Sequence, residues 1–152
     1  MKPGLNAGTT HTVHRRIEQE LTVPHILPGT LLERGETVLA SGYLVALLES
    51  ACWQVVHPHL EPHESAVGVD FVLTHCAPAW PRDLVEITVT CTRVSSETRD
   101  IEWHTSATNL RTRRVVGRMR HRLRIVESNR FQERTMRPRP SVRNSDPRQP
   151  ES

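Results

Sequence analysis

A carboxylate, a hydroxyl and an imidazole stand at positions of this sequence from which they could perform acid–base chemistry. The carboxylate is Glu49, in the middle of the run ASGYLVALLESACWQVV (residues 40–56), which is apolar over nearly all of its length. A buried carboxylate is costly unless it is protonated or hydrogen-bonded, so Glu49 either has a structural partner or takes part in a reaction. The spacing leaves both interpretations open, since Glu49 could also face a solvent-filled gap or a subunit interface.

The hydroxyl and the imidazole lie at the ends of two neighbouring elements. Ser41 is a residue type favoured at the N-cap of a helix, and a hydroxyl beside the free N–H groups of a helix start can also hold an oxyanion. Gly42 would let a substrate approach the backbone closely. His75 follows the strand-like segment 67–74, and strand ends commonly carry catalytic side chains. Taken alone, His75 is more often a structural histidine, and Ser41 a plain helix cap.

Apolar periodicity predicts the elements that position these groups. The run from Ser41 to the proline at position 58 predicts a long helix, and its apolar residues cover so much of the circumference that we expect other elements to surround it. After the helix the period changes to two, which predicts strands over residues 66–74, 85–92, 101–108 and 115–126. One face of the last strand carries Met119, His121, Leu123 and Ile125, and the other face carries four arginines.

The signals before the helix are weaker. An initial strand is suggested within residues 1–15, residues 21–28 are β-like but interrupted by two prolines, and residues 29–36 indicate a mobile connection. One long helix followed by a run of antiparallel strands predicts an α+β hotdog fold, in which a curved antiparallel sheet wraps around a long central helix. We expect one such domain over residues 1–127 and a disordered Arg/Pro-rich tail over residues 128–152.

The composition restricts the classes of partner. No apolar run approaches the roughly 20 residues that span a bilayer, and the N-terminus lacks an apolar secretory block, so we expect a soluble, cytoplasmic protein that does not act at a membrane. Aromatic residues make up only 4% of the chain, which disfavours nucleic-acid binding in spite of a net charge of +3.

Cys52, Cys76 and Cys91 show no paired spacing and are expected to be reduced core residues. Three histidines between residues 57 and 63 are interrupted by prolines, which disfavours a metal site.

Residues 40–52, the Leu-Glu-Pro of residues 60–62 and residues 67–75 resemble the fluoroacetyl-CoA thioesterase family of hotdog proteins. Members carry a small hydroxyl residue before a glycine, a glutamate eight residues later and a histidine at the end of the next strand. Ser41, Glu49 and His75 occupy these positions, and Gly68 falls on the glycine that lies beside the substrate. The resemblance is nearly gap-free from about residue 37 to residue 80 and weaker towards both ends.

The resemblance implies a homodimer with active sites at the subunit interface, which hydrolyses an acyl-CoA thioester without a metal or another cofactor. Ser41, Glu49 and His75 would be catalytic, and Gly42 and Gly68 would contact the substrate. Thioester hydrolysis needs an attacking water or carboxylate, a base and donors for the oxyanion, and these residue types can supply all of them. The division of roles stays open, with Glu49 as base or nucleophile, His75 as proton shuttle and Ser41 as donor or orienter.

Three departures from the family pattern leave the acyl group open. Serine stands where fluoroacetyl-specific members have threonine, and the segment LLERG (residues 31–35) lacks the phenylalanines that form an aromatic lid in those members. In the last strand, Met119 stands where a histidine is usual. A different short acyl group, or an acyl chain on a carrier protein, suits these residues as well. The alternatives to a thioesterase are a hotdog module that binds an acyl-CoA or acyl-carrier ligand without turnover and, less favoured, a hotdog dehydratase.

Overall fold

The computed structural model describes residues 1–136, in which five strands form one antiparallel sheet in the order β1-β3-β4-β5-β2. The strands are β1 (Thr10–Arg16), β2 (Glu64–His75), β3 (Leu84–Val94), β4 (Asp100–Asn109) and β5 (Val115–Glu127). The helices are α1 (Val23–Ile26), α2 (Ser41–Val56) and α3 (Ser128–Met136). The predicted antiparallel sheet with a long helix against it is therefore confirmed, and β1 and β2 are the two edges of the sheet.

Alternation along the strands creates one apolar face and one polar face. In β3 the side chains of Val85, Ile87, Val89 and Cys91 are fully buried, whereas the threonines and the glutamate between them are only partly buried or exposed. The apolar face packs against α2, which buries side chains on one side at helical spacing. These helix residues are Leu44, Leu48, Ala51, Cys52 and Val56. A buried leucine of this kind contributes roughly 1.5–3 kcal/mol relative to an exposed one.

The central helix is surrounded less completely than its sequence predicts. Ala46, Ser50 and Gln54 are exposed. The helix also begins one residue earlier than a Ser41 cap would place it, because Ala40 is the N-cap residue and no side chain bonds to the free N–H groups. Ser41 is thus the first helical residue, and its hydroxyl is free for another partner.

The chain before α2 forms helical turns where the sequence predicted a β-like segment that two prolines confine to a sheet edge or a loop. Residues 21–28 contain the last residue of a short 3-10 turn, Gln19–Leu21, and all of α1. Only a single bridge, between Thr22 and Leu39, has sheet character. Pro24 explains the difference, since proline is well tolerated in the first turn of a helix and cannot donate to a strand.

The edge strand β2 exposes an apolar surface. Val69, Phe71 and Val72 are 39%, 51% and 59% exposed. The pairing of β2 with β5 shifts register between Gly68 and Asp70, which leaves Val69 as a bulged residue. An exposed apolar edge strand of this length is a surface that proteins normally cover.

The end of the described chain differs from the prediction of a disordered tail. Ser128–Met136 form α3, which packs near β5, while residues 137–152 of the expected tail lie outside the described residues. None of the helices within residues 1–136 has the length and apolar character that crossing a bilayer requires.

Candidate active site

Ser41 and His75 form a hydroxyl–imidazole pair where α2 begins and β2 ends. The Oγ atom of Ser41 lies 2.9 Å from Nδ1 of His75. Ser41 is the first residue of α2 and His75 is the last residue of β2, so the two side chains meet between helix and sheet. The interpretation of Ser41 as a helix cap is wrong, because its hydroxyl contacts the imidazole and not the backbone of the helix start.

The surroundings of His75 favour the neutral imidazole. The side chain is half-buried, and burial lowers its pKa below the ordinary value of 6.5, while the backbone of Ala77 opposes the shift. The other ring nitrogen, Nε2, is buried and has no hydrogen-bond partner among residues 1–136. A neutral imidazole held through one nitrogen, with the second nitrogen unused, can pass a proton to or from a bound substrate.

Glu49 lies in the middle of α2 within a second group of side chains, which we call the carboxylate cluster: Glu49, Gly68 and His121. The Glu49 side chain is 30% exposed, so it is half-buried and not enclosed in the core. A Cβ atom on Gly68 would lie 3.2 Å from Oε1 of Glu49, and Nε2 of His121 lies 3.7 Å from the same oxygen. The carboxylate therefore has both a protein partner and access to the edge of the sheet.

A single chain does not bring the hydroxyl–imidazole pair and the carboxylate cluster together. Ser41 and Glu49 are eight residues apart on α2, which is about 12 Å along the helix axis. On β2, His75 is at the end of the strand and Gly68 is in its first half. The two groups are thus half-sites at separate places along the same edge strand.

Gly42 has a packing reason for lacking a side chain. A Cβ atom at this position would lie 2.7 Å from Cδ1 of Ile26 in α1. The glycine therefore lets α1 pack closely on the start of α2, next to Ser41. Its predicted contact with substrate stays a prediction.

His121 belongs to the carboxylate cluster, although the sequence pattern did not identify it as a functional candidate. It was predicted to lie on the apolar face of β5, and it does, with a side chain that is only 1% exposed. Alternation with Met119 and Leu123 makes such a residue look like part of the core. Only the packing of β5 against α2 reveals that its ring faces the carboxylate of Glu49.

The cysteine near this cluster is not a nucleophile. Burial raises the pKa of the Cys52 thiol, and the charge of Glu49 raises it further. The thiol therefore stays protonated at neutral pH, as expected for a core residue. Cys91 is also buried, whereas Cys76, next to His75, is exposed and so is not the core residue that was predicted.

Two further features that the sequence suggested, a metal site and the arginine row of β5, lie outside these two groups of side chains. Within residues 1–136 no group of three or more histidine, cysteine or acidic side chains is arranged to hold a metal ion. The predicted arginine row of β5 lies on the outer face of the sheet. There Arg122 pairs with Asp70, and Arg124 donates to Asp100 at 2.7 and 2.9 Å.

Solved structures of thioesterases share this fold. The fluoroacetyl-CoA thioesterase FlK superimposes with a TM-score of 0.82 at 27% sequence identity, covering 90% of this chain and 100% of that chain. A mutant of the same enzyme, solved with fluoroacetate and CoA, gives a TM-score of 0.78 at 26% identity over 84% of this chain and 99% of that chain. The antiparallel sheet around one long helix is the hotdog fold, and the class of the protein is a hotdog-fold thioester hydrolase.

Sequence comparison defines the family within this class. The model of the family described as fluoroacetyl-CoA-specific thioesterase matches residues 17–129. The fluoroacetyl-CoA thioesterase of Streptantibioticus cattleyicolor is 35% identical over 109 residues, which are 70% of this chain and 76% of that protein. The chain belongs to the fluoroacetyl-CoA-specific thioesterase family.

Proposed function

We propose that the protein is a homodimeric, metal-free acyl-CoA thioesterase, with Ser41, Glu49 and His75 as catalytic residues and Gly42 and Gly68 beside the substrate. The observation that carries the proposal is the hydrogen bond between Ser41 and His75, 2.9 Å long, at the end of the strand that also holds Gly68 against Glu49. The substrate class follows from the relatives, one of which was solved with fluoroacetate and CoA. The proposed substrate is a CoA thioester of a short acyl group.

The exposed edge of β2 supports the homodimer. Val69, Phe71 and Val72 form an apolar stretch on a strand whose outer edge has no partner within residues 1–136. Two such strands from two copies can pair in antiparallel orientation about a two-fold axis, which is the commonest symmetry of protein dimers. The pairing would cover the apolar stretch and satisfy the free backbone groups of the edge.

The same pairing would join the two half-sites. The midpoint between Gly68 and His75 lies between Phe71 and Val72, in the most exposed part of β2. With the two-fold axis at this midpoint, His75 of one subunit is opposite Gly68 of the partner subunit. The hydroxyl–imidazole pair of one subunit then faces the carboxylate cluster of the other, and each dimer has two complete sites.

The proposed reaction uses each group according to its surroundings. Glu49 takes a proton from a water molecule as the water oxygen forms a bond to the thioester carbonyl carbon. The Ser41 hydroxyl stabilises the oxyanion. The carbon–sulfur bond then breaks, and the proton taken by Glu49 reaches the leaving thiolate through the neutral imidazole of His75. The products are a free carboxylic acid and CoA.

The experiment is thiol release from acetyl-CoA and other short acyl-CoA thioesters by the wild type and by Glu49→Gln. Loss of a general base lowers kcat by about 10²–10⁴-fold, so this is the expected effect of the substitution. The matched control is Glu86→Gln, because Glu86 lies on the outer face of β3 and contacts His14 at 3.2 Å. If the wild type releases no thiol from any short or medium acyl-CoA, the protein is a binding module. If Glu49→Gln stays active, Glu49 is not the general base of the reaction.

A further inference from the structure

His121 is a buried histidine with one ring nitrogen bonded and the other facing a carboxylate. Its Nδ1 atom lies 3.0 Å from the carbonyl oxygen of Asp70, at the bulge of β2. Its Nε2 atom is buried without a hydrogen-bond partner among the described residues, and Oε1 of Glu49 lies 3.7 Å from it. Buried polar atoms are normally satisfied, so this contact needs an explanation.

The bond to Asp70 determines where the protons of the ring are. A carbonyl oxygen can only accept, so Nδ1 of His121 carries a hydrogen and donates it to the carbonyl of Asp70. In a neutral ring, Nε2 then has a lone pair, which faces a carboxylate oxygen that also has only lone pairs. Two acceptors repel each other at this distance, and one proton on Nε2 turns the repulsion into the attraction of an imidazolium–carboxylate ion pair.

We propose that His121 is a positioning residue for Glu49, and that the two side chains hold one proton between them as an imidazolium–carboxylate ion pair. As an imidazolium 3.7 Å from Oε1, His121 fixes the direction in which Glu49 points and leaves its second oxygen for the reacting water. This inference rests on the proposed function for its catalytic consequence. The shared proton itself is a property of the folded protein.

The packing around the pair supports a positioning role. The ring of His121 is held by the bulge, and its Cε1 atom would be 3.4 Å from a Cβ atom on Gly68. Neither of the other titratable groups nearby brings a proton or a charge to the contact between His121 and Glu49. Cys52, on the same helix as Glu49, is a neutral thiol, and the Asp70 carboxylate pairs with Arg122 on the outer face of the sheet.

Two substitutions separate the contact to Glu49 from the contact to the backbone. The amide nitrogen of asparagine replaces Nδ1 of a histidine ring, so His121→Asn can keep the bond to Asp70 but cannot reach Glu49. The amide nitrogen of glutamine replaces Nε2, so His121→Gln can donate to Glu49 but loses the bond to Asp70. Circular dichroism and thermal unfolding of both variants measure folding independently of activity.

The proposal expects the two variants to behave in opposite ways in the thiol-release assay. In His121→Asn, kcat falls by about ten- to a hundredfold with little change in KM, the equivalent of one hydrogen bond to a charged group. In His121→Gln, kcat is largely restored. A purely structural histidine gives the reverse result, with His121→Asn active and His121→Gln impaired, and that result would overturn the proposal.

A spectroscopic measurement tests the shared proton without activity or a substitution at His121. Nitrogen-15 NMR of the ring in the wild type is expected to show a protonated Nδ1 and an Nε2 signal that shifts in Glu49→Gln, where an amide donates to the ring. A ring that carries its single proton on Nε2, or Nε2 signals that are the same in both proteins, would contradict the proposal. If the wild type hydrolyses no thioester but the NMR result holds, the proposed function fails while the paired proton stands.

Discussion

At the scale of the residue, His75 is the group whose protonation limits the proposed reaction. Burial lowers its pKa below the ordinary 6.5, and its Nδ1 atom is occupied by the hydroxyl of Ser41. Protonation would fill the unused Nε2 atom, and the imidazolium could then no longer accept the proton that travels to the thiolate. The reaction therefore depends on the neutral form.

The pH dependence of activity follows from the direction of this shift. Because the pKa of His75 is lowered, kcat is expected to decrease at low pH with a midpoint below 6.5. The measurement is a profile of kcat against pH for the wild type, with His14→Gln as the control at an exposed histidine. A midpoint at or above pH 6.5 would show that His75 is not the group being titrated or that its neutral form is not required.

The free energy of unfolding is also expected to fall at low pH. A histidine that is held neutral by burial binds fewer protons in the folded state than in the unfolded state. The free energy of unfolding therefore falls as the pH drops below 6.5 towards the lowered pKa of His75. The pH profile must be recorded where the protein is still folded.

At the scale of the element, β2 is the strand on which both half-sites depend. Gly68 is next to Glu49, and His75 ends the same strand beside Ser41. The bulge after Gly68 turns the carbonyl of Asp70 to the ring of His121. One edge strand thus positions an imidazole, a carboxylate and the histidine behind that carboxylate.

Two glycine substitutions should distinguish the site from the core. Gly68→Ala puts a methyl group 3.2 Å from the end of a flexible carboxylate, so we expect activity to fall at least about tenfold with a change in stability below about 1 kcal/mol. Gly117→Ala puts a methyl group 2.7 Å from Cδ2 of Leu44 and 3.1 Å from a backbone oxygen. It is expected to cost about 1–3 kcal/mol in unfolding free energy.

Thermal or urea unfolding, together with thiol release, measures both effects. If Gly68→Ala keeps full activity, the carboxylate of Glu49 does not need the space beside the strand. If Gly68→Ala destabilises the fold as much as Gly117→Ala, the glycine is structural.

The sequence predicted those helices and strands whose apolar residues recur with the period of a buried face. Alternation identified β3, β4 and β5 because each buries one face, and the long helix α2 was indicated by its apolar content. The segment around Pro24 was misread, because two prolines in a β-like stretch fit a sheet edge or a loop as well as they fit the first turn of a helix. The partners of single polar residues were not predictable, since the bond from Ser41 to His75 and the contact of His121 with Glu49 depend on how strands and helix pack.

At the scale of the whole molecule, the account depends on two copies of the chain forming each site. One chain holds its hydroxyl–imidazole pair and its carboxylate cluster about two helical turns apart, at separate positions along an exposed edge. Antiparallel pairing of two β2 strands would exchange these halves between subunits. The exposed apolar stretch of β2 is the surface on which this pairing would occur.

Mixing two inactive variants tests this claim most directly. Glu49→Gln subunits retain His75, and His75→Ala subunits retain Glu49, so a mixed dimer has one site with both residues intact if the sites are shared between subunits. After unfolding and refolding a one-to-one mixture, about half of the dimers are mixed and one site in each is complete. The expected thiol-release activity is about a quarter of the wild-type value, while each variant refolded alone stays inactive. Activity in the mixture no higher than in the separate variants would contradict a site built from two subunits.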